Sequence, residues 1–152
     1  MSLSSPPNAT MTKFGFPETL VRDHRHWVVL LRPHQATLGA LVLVCKDHAR
    51  AFGDISAAAF GELQQVIQDI EAGLSAFRPY QKMNYLMLMM VDPDVHFHVL
   101  PRYDSDQLFD GTVYQDEGWP GAPLLSSGTT PDAATLADLA AAVKAAWPDA
   151  SA

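Results

Sequence analysis

Residues 83–103 read Met-Asn-Tyr-Leu-Met-Leu-Met-Met-Val-Asp-Pro-Asp-Val-His-Phe-His-Val-Leu-Pro-Arg-Tyr. The stretch reads as two strands and a tight turn. Met83 to Val91 is apolar with a β-compatible aromatic. Asp92-Pro93 breaks it, because proline has no N–H to give a ladder. Val95 to Arg102 then alternates, with His96 and His98 pointing one way and Val95, Phe97 and Val99 the other. Asp94 falls on the histidine face. One strand is thus expected to present Asp94, His96 and His98 in a row while its other face enters a core.

A core strand has no need of two imidazoles. Burying an unpaired one costs about 1–3 kcal/mol. From pattern alone three readings stay open: the solvated outer face of an edge strand, a metal site, and a phosphate or acid–base site. Geometry speaks against a metal. Residues two apart on a strand are separated by about 6.6 Å, and Asp94 and His98 by about 13 Å. Three ligands in a straight row do not close on one ion with ~2 Å bonds. No metal and no cofactor are expected.

His96-Phe97-His98-Val99-Leu100-Pro101-Arg102 resembles the latter part of the histidine triad (HIT) signature, His-x-His-x-His-x-x followed by Pro-Arg. The resemblance runs from Phe14 to Arg102. Gly39 to Val44 resembles the family's Gly-His-hydrophobic strand, residues 54–77 its long helix, and Asn84 its strand asparagine. The resemblance implies an α+β, HIT-like fold: an antiparallel sheet of about five strands, one long helix and a C-terminal helix. It also implies a homodimer and a purine nucleotide or nucleotide conjugate as partner.

The implied chemistry is attack on the α-phosphate of a nucleotide conjugate. The middle triad histidine, His96 here, would form a covalent nucleotidyl-histidine that water or another acceptor resolves. His98 would hydrogen-bond the phosphate. The main-chain carbonyl of the first triad position, Asp94 here, would hold the other nitrogen of His96. The activity implied is a hydrolase or nucleotidyl transferase, of the nucleoside phosphoramidase or dinucleoside polyphosphate hydrolase type. The chain departs from the family at several points. Asp94 replaces the first histidine, and a carboxylate repels a phosphate unless protonated, paired or turned away. At 4 Å the repulsion is about 4 kcal/mol at an effective dielectric near 20. Ala40 replaces the histidine of the Gly-His strand, Arg32 a ribose-contacting asparagine, and Met89 and Met90 the residues before the triad. Asn84, Arg102 and Arg32 are the candidate substrate-binding residues. These departures keep an alternative open: a non-catalytic HIT-fold dimer that binds a nucleotide or a protein.

The rest of the chain frames this stretch. Its 152 residues suit one domain. A formal charge of −7 argues against duplex nucleic acid. No apolar run reaches the ~20 residues that span a bilayer, so no membrane partner is expected. Residues 1–10 lack the basic and apolar regions of a secretory signal, and a lone Cys45 fits a reducing cytoplasm. Residues 1–12 are expected to be mobile and residues 13–152 to form a single HIT-like domain, with 103–152 as C-terminal loop and helix.

Short strands are expected at residues 19–21, 27–32 and 39–46, with a hydrophilic loop at 22–26. The last of these strands, apolar throughout, reads as central. Ser56 caps a helix whose stripe is Phe60, Leu63, Ile67, Ile70, Leu74 and Phe77. His24, His26 and His34 read as solvated loop residues and His48 as structural. Thr130 reads as the cap of the last helix, with Leu136, Leu139, Val143 and Trp147 as its apolar face. Trp119 sits in a Gly- and Pro-rich loop, where packing is favoured over a ligand role.

Overall fold

The structure, a computed structural model, describes residues 6–149. In chain order the elements are α1 (Ala9–Lys13), β1 (Leu20–Asp23), β2 (Trp27–Leu31), β3 (Leu41–Cys45), α2 (Ala57–Phe77), β4 (Lys82–Leu86), β5 (His96–Arg102), β6 (Gln107–Phe109), β7 (Thr112–Tyr114) and α3 (Ala133–Ala146). Five strands form one antiparallel sheet in the order β1-β2-β3-β5-β4, and β6 and β7 form a separate hairpin. This is the α+β architecture expected.

The sheet's centre follows from its composition. Every residue of Trp27–Leu31 and of Leu41–Cys45 is buried. Such runs of Val and Leu are what a strand covered on both faces requires. On one face Val29, Leu31, Leu41, Leu43 and Val99 pack under Val66, Ile70 and Leu74 of α2 and Leu139 and Val143 of α3. On the other, Val28, Leu30, Val42 and Val44 pack under Met11, Phe14 and Leu20.

Helix α2 begins where expected, with the Ser56 hydroxyl accepting from Ala59 N–H at 3.1 Å. Its buried face differs from the expected stripe. Ala59, Val66, Ile70, Gly73 and Leu74 are buried, whereas Phe60 is 42% exposed and meets the Phe52 ring instead. The reason is close packing: small residues let α2 sit low on the sheet, where Trp27 Nε1–H reaches the Ala59 carbonyl at 2.8 Å. Gly73 makes room for Trp147, whose ring carbon Cε3 lies 2.4 Å from where a Cβ would stand.

Four further expectations need correction. Strand β4 ends at Leu86, so residues 87–95 form a loop rather than a tight turn. Of the segment expected to be mobile, residues 9–12 belong to a docked helix, capped by Asn8 and burying Thr10 and Met11; residues 1–5 lie outside the described residues. The cap of α3 is Asp132, which accepts from Thr135 N–H at 2.8 Å, and not Thr130. The hairpin β6–β7 was not anticipated, although Asp110 (φ 48°) and Gly111 (φ 77°) form the two-residue Asp-Gly turn that favours it.

Candidate functional site

His96 and His98 stand on the same face of β5, as the alternation requires, opposite Val44 and Val42 of β3. Their rings are 5.2 Å apart, centroid to centroid, and close to perpendicular. His96 Nδ1 lies 2.6 Å from the Asp94 carbonyl oxygen. A carbonyl only accepts, so Nδ1 carries the proton, and in the neutral ring Nε2 is left with its lone pair. No described residue hydrogen-bonds that Nε2.

His98 is held differently. Its Nδ1 accepts a long hydrogen bond, 3.4 Å, from Arg32 Nε–H, which places the ring proton on Nε2. Burial, with the neighbouring Arg32 guanidinium, pushes its pKa down from 6.5 to about 4, so the ring is neutral at pH 7. The face therefore offers an unprotonated nitrogen on one ring and an N–H donor on the next.

Arg32 adds positive charge. It donates to the His34 carbonyl at 2.8 Å and to His98, and it forms no ion pair among the described residues. Burial lowers its pKa, a sign of a guanidinium held without full solvation. Gln35, wholly buried, fixes the turn that carries it: its amide N–H groups donate to the Arg32 and Ala40 carbonyls at 2.7 and 3.0 Å, and its oxygen accepts from Gly39 N–H at 2.7 Å. Gly39 at φ 90° closes that turn in a conformation that favours glycine. Gln35 was not singled out in the sequence, and no local pattern marks it.

Asp94 does not continue the histidine row. It precedes β5 and is buried, and its carboxylate accepts from Thr10 N–H at 3.1 Å and Thr10 Oγ1–H at 2.9 Å. The acid is therefore paired, and it anchors α1. The same helix then covers the histidines. Phe14 lies 5.8 Å from the His98 ring, edge-on, and 6.4 Å from that of His96. His96 is 2% exposed and His98 6%. The solvated-face alternative thus does not hold for this strand. Thr10 and Phe14 are site residues missed in the sequence; Asn8, a capping residue before Ala-Thr-Met, was the available signal.

Arg102 and Asn84 stand further along the histidine face of the sheet: Arg102 follows His96 and His98 at even spacing on β5, and Asn84 of β4 is opposite Leu100. Arg102 is 3% exposed, bound to Asp116 through Nε (2.6 Å) and a second nitrogen (2.9 Å), and to Asn84 Oδ1 at 2.7 Å. Asp116 also accepts from Tyr103 N–H at 3.1 Å. This bidentate pair fastens the chain after β7 to the end of β5. Beside it, a cavity of about 710 Å³ runs along β4 and is lined by Asn84, Arg102, Trp119 and Pro120 among others. Trp119 therefore flanks an open groove at the sheet edge, whose lining includes Leu86, the residue opposite His98. His34, expected to be solvated, is clamped between the Ser127 carbonyl and Thr130 Oγ1, both at 2.7 Å. His24, also expected in solvent, is partly buried, and its Nε2 has no partner among the described residues. Among the described residues no cluster suited to a metal occurs.

With this geometry in place, the structural relatives can be named. The chain is similar to a histidine triad protein from Bradyrhizobium japonicum, with a TM-score of 0.69 and 17% identity over 92% of this chain and 96% of that one. It is similar to a histidine triad protein from Sinorhizobium meliloti, with a TM-score of 0.70 and 16% identity over 92% and 95% of the two chains. A hypothetical histidine triad nucleotide-binding protein from Sulfolobus tokodaii gives 0.66 and 14% over 90% and 88%. The chain thus has the fold of the histidine triad proteins, as its sequence led one to expect. No protein-family model and no curated protein matches the sequence.

Proposed function

We propose that this chain is a diverged HIT protein that binds a purine nucleotide or nucleotide conjugate at His96 and His98 and attacks its α-phosphate through His96. The observation that carries the reading is the 2.6 Å contact between His96 Nδ1 and the Asp94 carbonyl, which aims a lone pair outward from Nε2. In the proposed first step Nε2 forms a bond to phosphorus, and the leaving group departs with its bonding electrons and takes a proton from water. Water then displaces the histidine and releases the nucleotide. The neutral His98, donating through Nε2, and Arg32, which forms no ion pair among the described residues, supply hydrogen-bond and charge stabilisation for the phosphate oxygens. Asp94, whose carboxylate is engaged by Thr10, acts through its main chain.

The reading carries a homodimer with it, and β4 leaves one long edge of the sheet unpaired among the described residues. Among them, too, no helix is long and apolar enough to cross a membrane. We place the protein in the cytoplasm.

A second reading, a non-catalytic dimer that binds a nucleotide or a protein, is favoured by the cover over both histidines. The two separate on one experiment. The protein is incubated with adenosine and guanosine phosphoramidates and with dinucleoside polyphosphates, and intact-mass spectrometry at alkaline pH looks for a nucleotidyl adduct. The enzyme reading expects an adduct and turnover, both abolished in His96→Ala with the circular dichroism spectrum retained. Nucleotide-induced stabilisation with neither adduct nor turnover selects the binding module.

A further inference from the structure

We infer that residues 127–130 are a positioning element of the histidine site: through His34 and Gln35 they seat Arg32, and through Arg32 they fix which nitrogen of His98 carries the proton. The inference deepens the proposed reading, and its consequence for turnover rests on that reading.

The chain of contacts is continuous. His34 Nε2 lies 2.7 Å from the Ser127 carbonyl oxygen, which only accepts, so Nε2 carries the ring proton. In the neutral ring Nδ1 then accepts from the Thr130 hydroxyl, also at 2.7 Å. The main-chain carbonyl of the same His34 accepts from Arg32 Nη1 at 2.8 Å, and Arg32 Nε–H donates to His98 Nδ1. A second path runs beside the first. Gln35 and Thr129 exchange both main-chain hydrogen bonds, at 2.9 and 3.1 Å. The Gln35 side chain in turn ties the Arg32 and Ala40 carbonyls together. The two segments touch closely: a Cβ on Gly128 would stand 2.3 Å from the Gln35 carbonyl oxygen, and Gly128 has φ 96°. Both the space and the backbone angle call for glycine there.

Arg32 depends on this support. It forms no ion pair among the described residues. A partly buried cation without a counter-ion keeps its place only while its hydrogen bonds are kept. Both acceptors of Arg32 are neutral, and the bond to His98 is long, at 3.4 Å. It has little slack, because beyond about 3.6 Å such a contact is no longer a hydrogen bond. A small displacement of the turn at residues 32–40 therefore leaves His98 Nδ1 without its donor. The imidazole is then free to carry its proton on Nδ1, and Nε2, the donor in the proposed reaction, ceases to donate. Thr130 and His34 are thus positioning residues that act through Arg32.

The test uses the full chain with isotopically labelled histidine rings and reads the tautomer of His98 from its ring-nitrogen NMR shifts. Wild type is expected to show a single form, protonated on Nε2. Thr130→Val removes the hydroxyl at nearly constant shape, and Gly128→Ala pushes a methyl against Gln35. Each is expected to shift His98 to a mixture of tautomers, since loss of one hydrogen bond moves an equilibrium about fivefold. Thr130→Ser keeps the hydroxyl and should show the single form again. In phosphoramidate turnover, kcat should fall about fivefold in Thr130→Val and recover in Thr130→Ser. Gly73→Ala, which disturbs packing on the opposite face of the sheet, is the control and should leave His98 as in wild type. Unchanged His98 shifts in both Thr130→Val and Gly128→Ala overturn the proposal, and so does the same change in Gly73→Ala. The expected shifts without any turnover uphold the positioning role and bring down the catalytic reading instead.

Discussion

Lowering the pH tests the site most directly, because His98 is held neutral by its surroundings. Its pKa is 6.5 in an unfolded chain and about 4 in the fold, through burial first and Arg32 second. The unfolded chain therefore takes up the proton first as pH falls. Stability is complete above pH 6.5 and is lost progressively between pH 6.5 and 4. At 1.36 kcal/mol per pH unit the full gap corresponds to about 3 kcal/mol. Solvent reaching the partly screened ring brings the expected loss to about 2 kcal/mol. Urea unfolding at pH 7.5 and pH 4.5, on wild type and His98→Gln, isolates this contribution, since the other acids and bases are common to both proteins. Wild type should lose about 2 kcal/mol more than the variant over that interval. An NMR titration of the His98 ring should place its midpoint well below 6, and Arg32→Met should move it upward. Identical pH dependence in wild type and His98→Gln would refute the account of a desolvated, arginine-flanked imidazole.

Two further outcomes concern packing. Asp116→Ala leaves the Arg102 guanidinium buried with Asn84 alone, and the expected loss is about 3–5 kcal/mol in denaturant unfolding; pairing it with Arg102→Met should restore much of that loss, and no recovery would show that the cost does not come from an unpaired buried charge. Gly73→Ala drives a methyl into the Trp147 ring, with an expected net cost of about 1–2 kcal/mol after the gain in helix propensity, and a stabilised variant would show that α3 yields there.

The sheet and long helix were legible because their signals are strong and local. Val28 to Leu31 and Leu41 to Val44 admit few alternatives to buried strands, and Ser56 marks the start of α2. The alternation around His96 and His98 placed both rings on one face correctly. What was illegible depends on partners far away in sequence. Asp94 looks like part of a strand until Thr10 takes its carboxylate. Arg102 looks available until Asp116 arrives from the chain after β7. The five residues of α1 carry no helical period of their own, and their order comes from Met11 and Phe14 entering the core. Phe60 belonged to the helical stripe, yet the close seat of α2 on the sheet went to Ala59, Val66 and Gly73.

The separation between Thr10 and its anchor has a consequence for how the chain matures. Asp94 is 84 residues downstream of Thr10. At about 5–20 residues per second, roughly 4–17 s of synthesis pass before this anchor exists at all. Meanwhile β1, β2 and β3 can pair as a local meander, but β5 has yet to be made, and α2 must be laid down before β5 can join β3. The first helix in the chain thus receives its polar anchor only after its apolar seat on β2 and β3 has been made. Val42 and Val44, which pack with Met11 and Phe14, are thus made well before the strand whose approach brings the Asp94 carboxylate to Thr10.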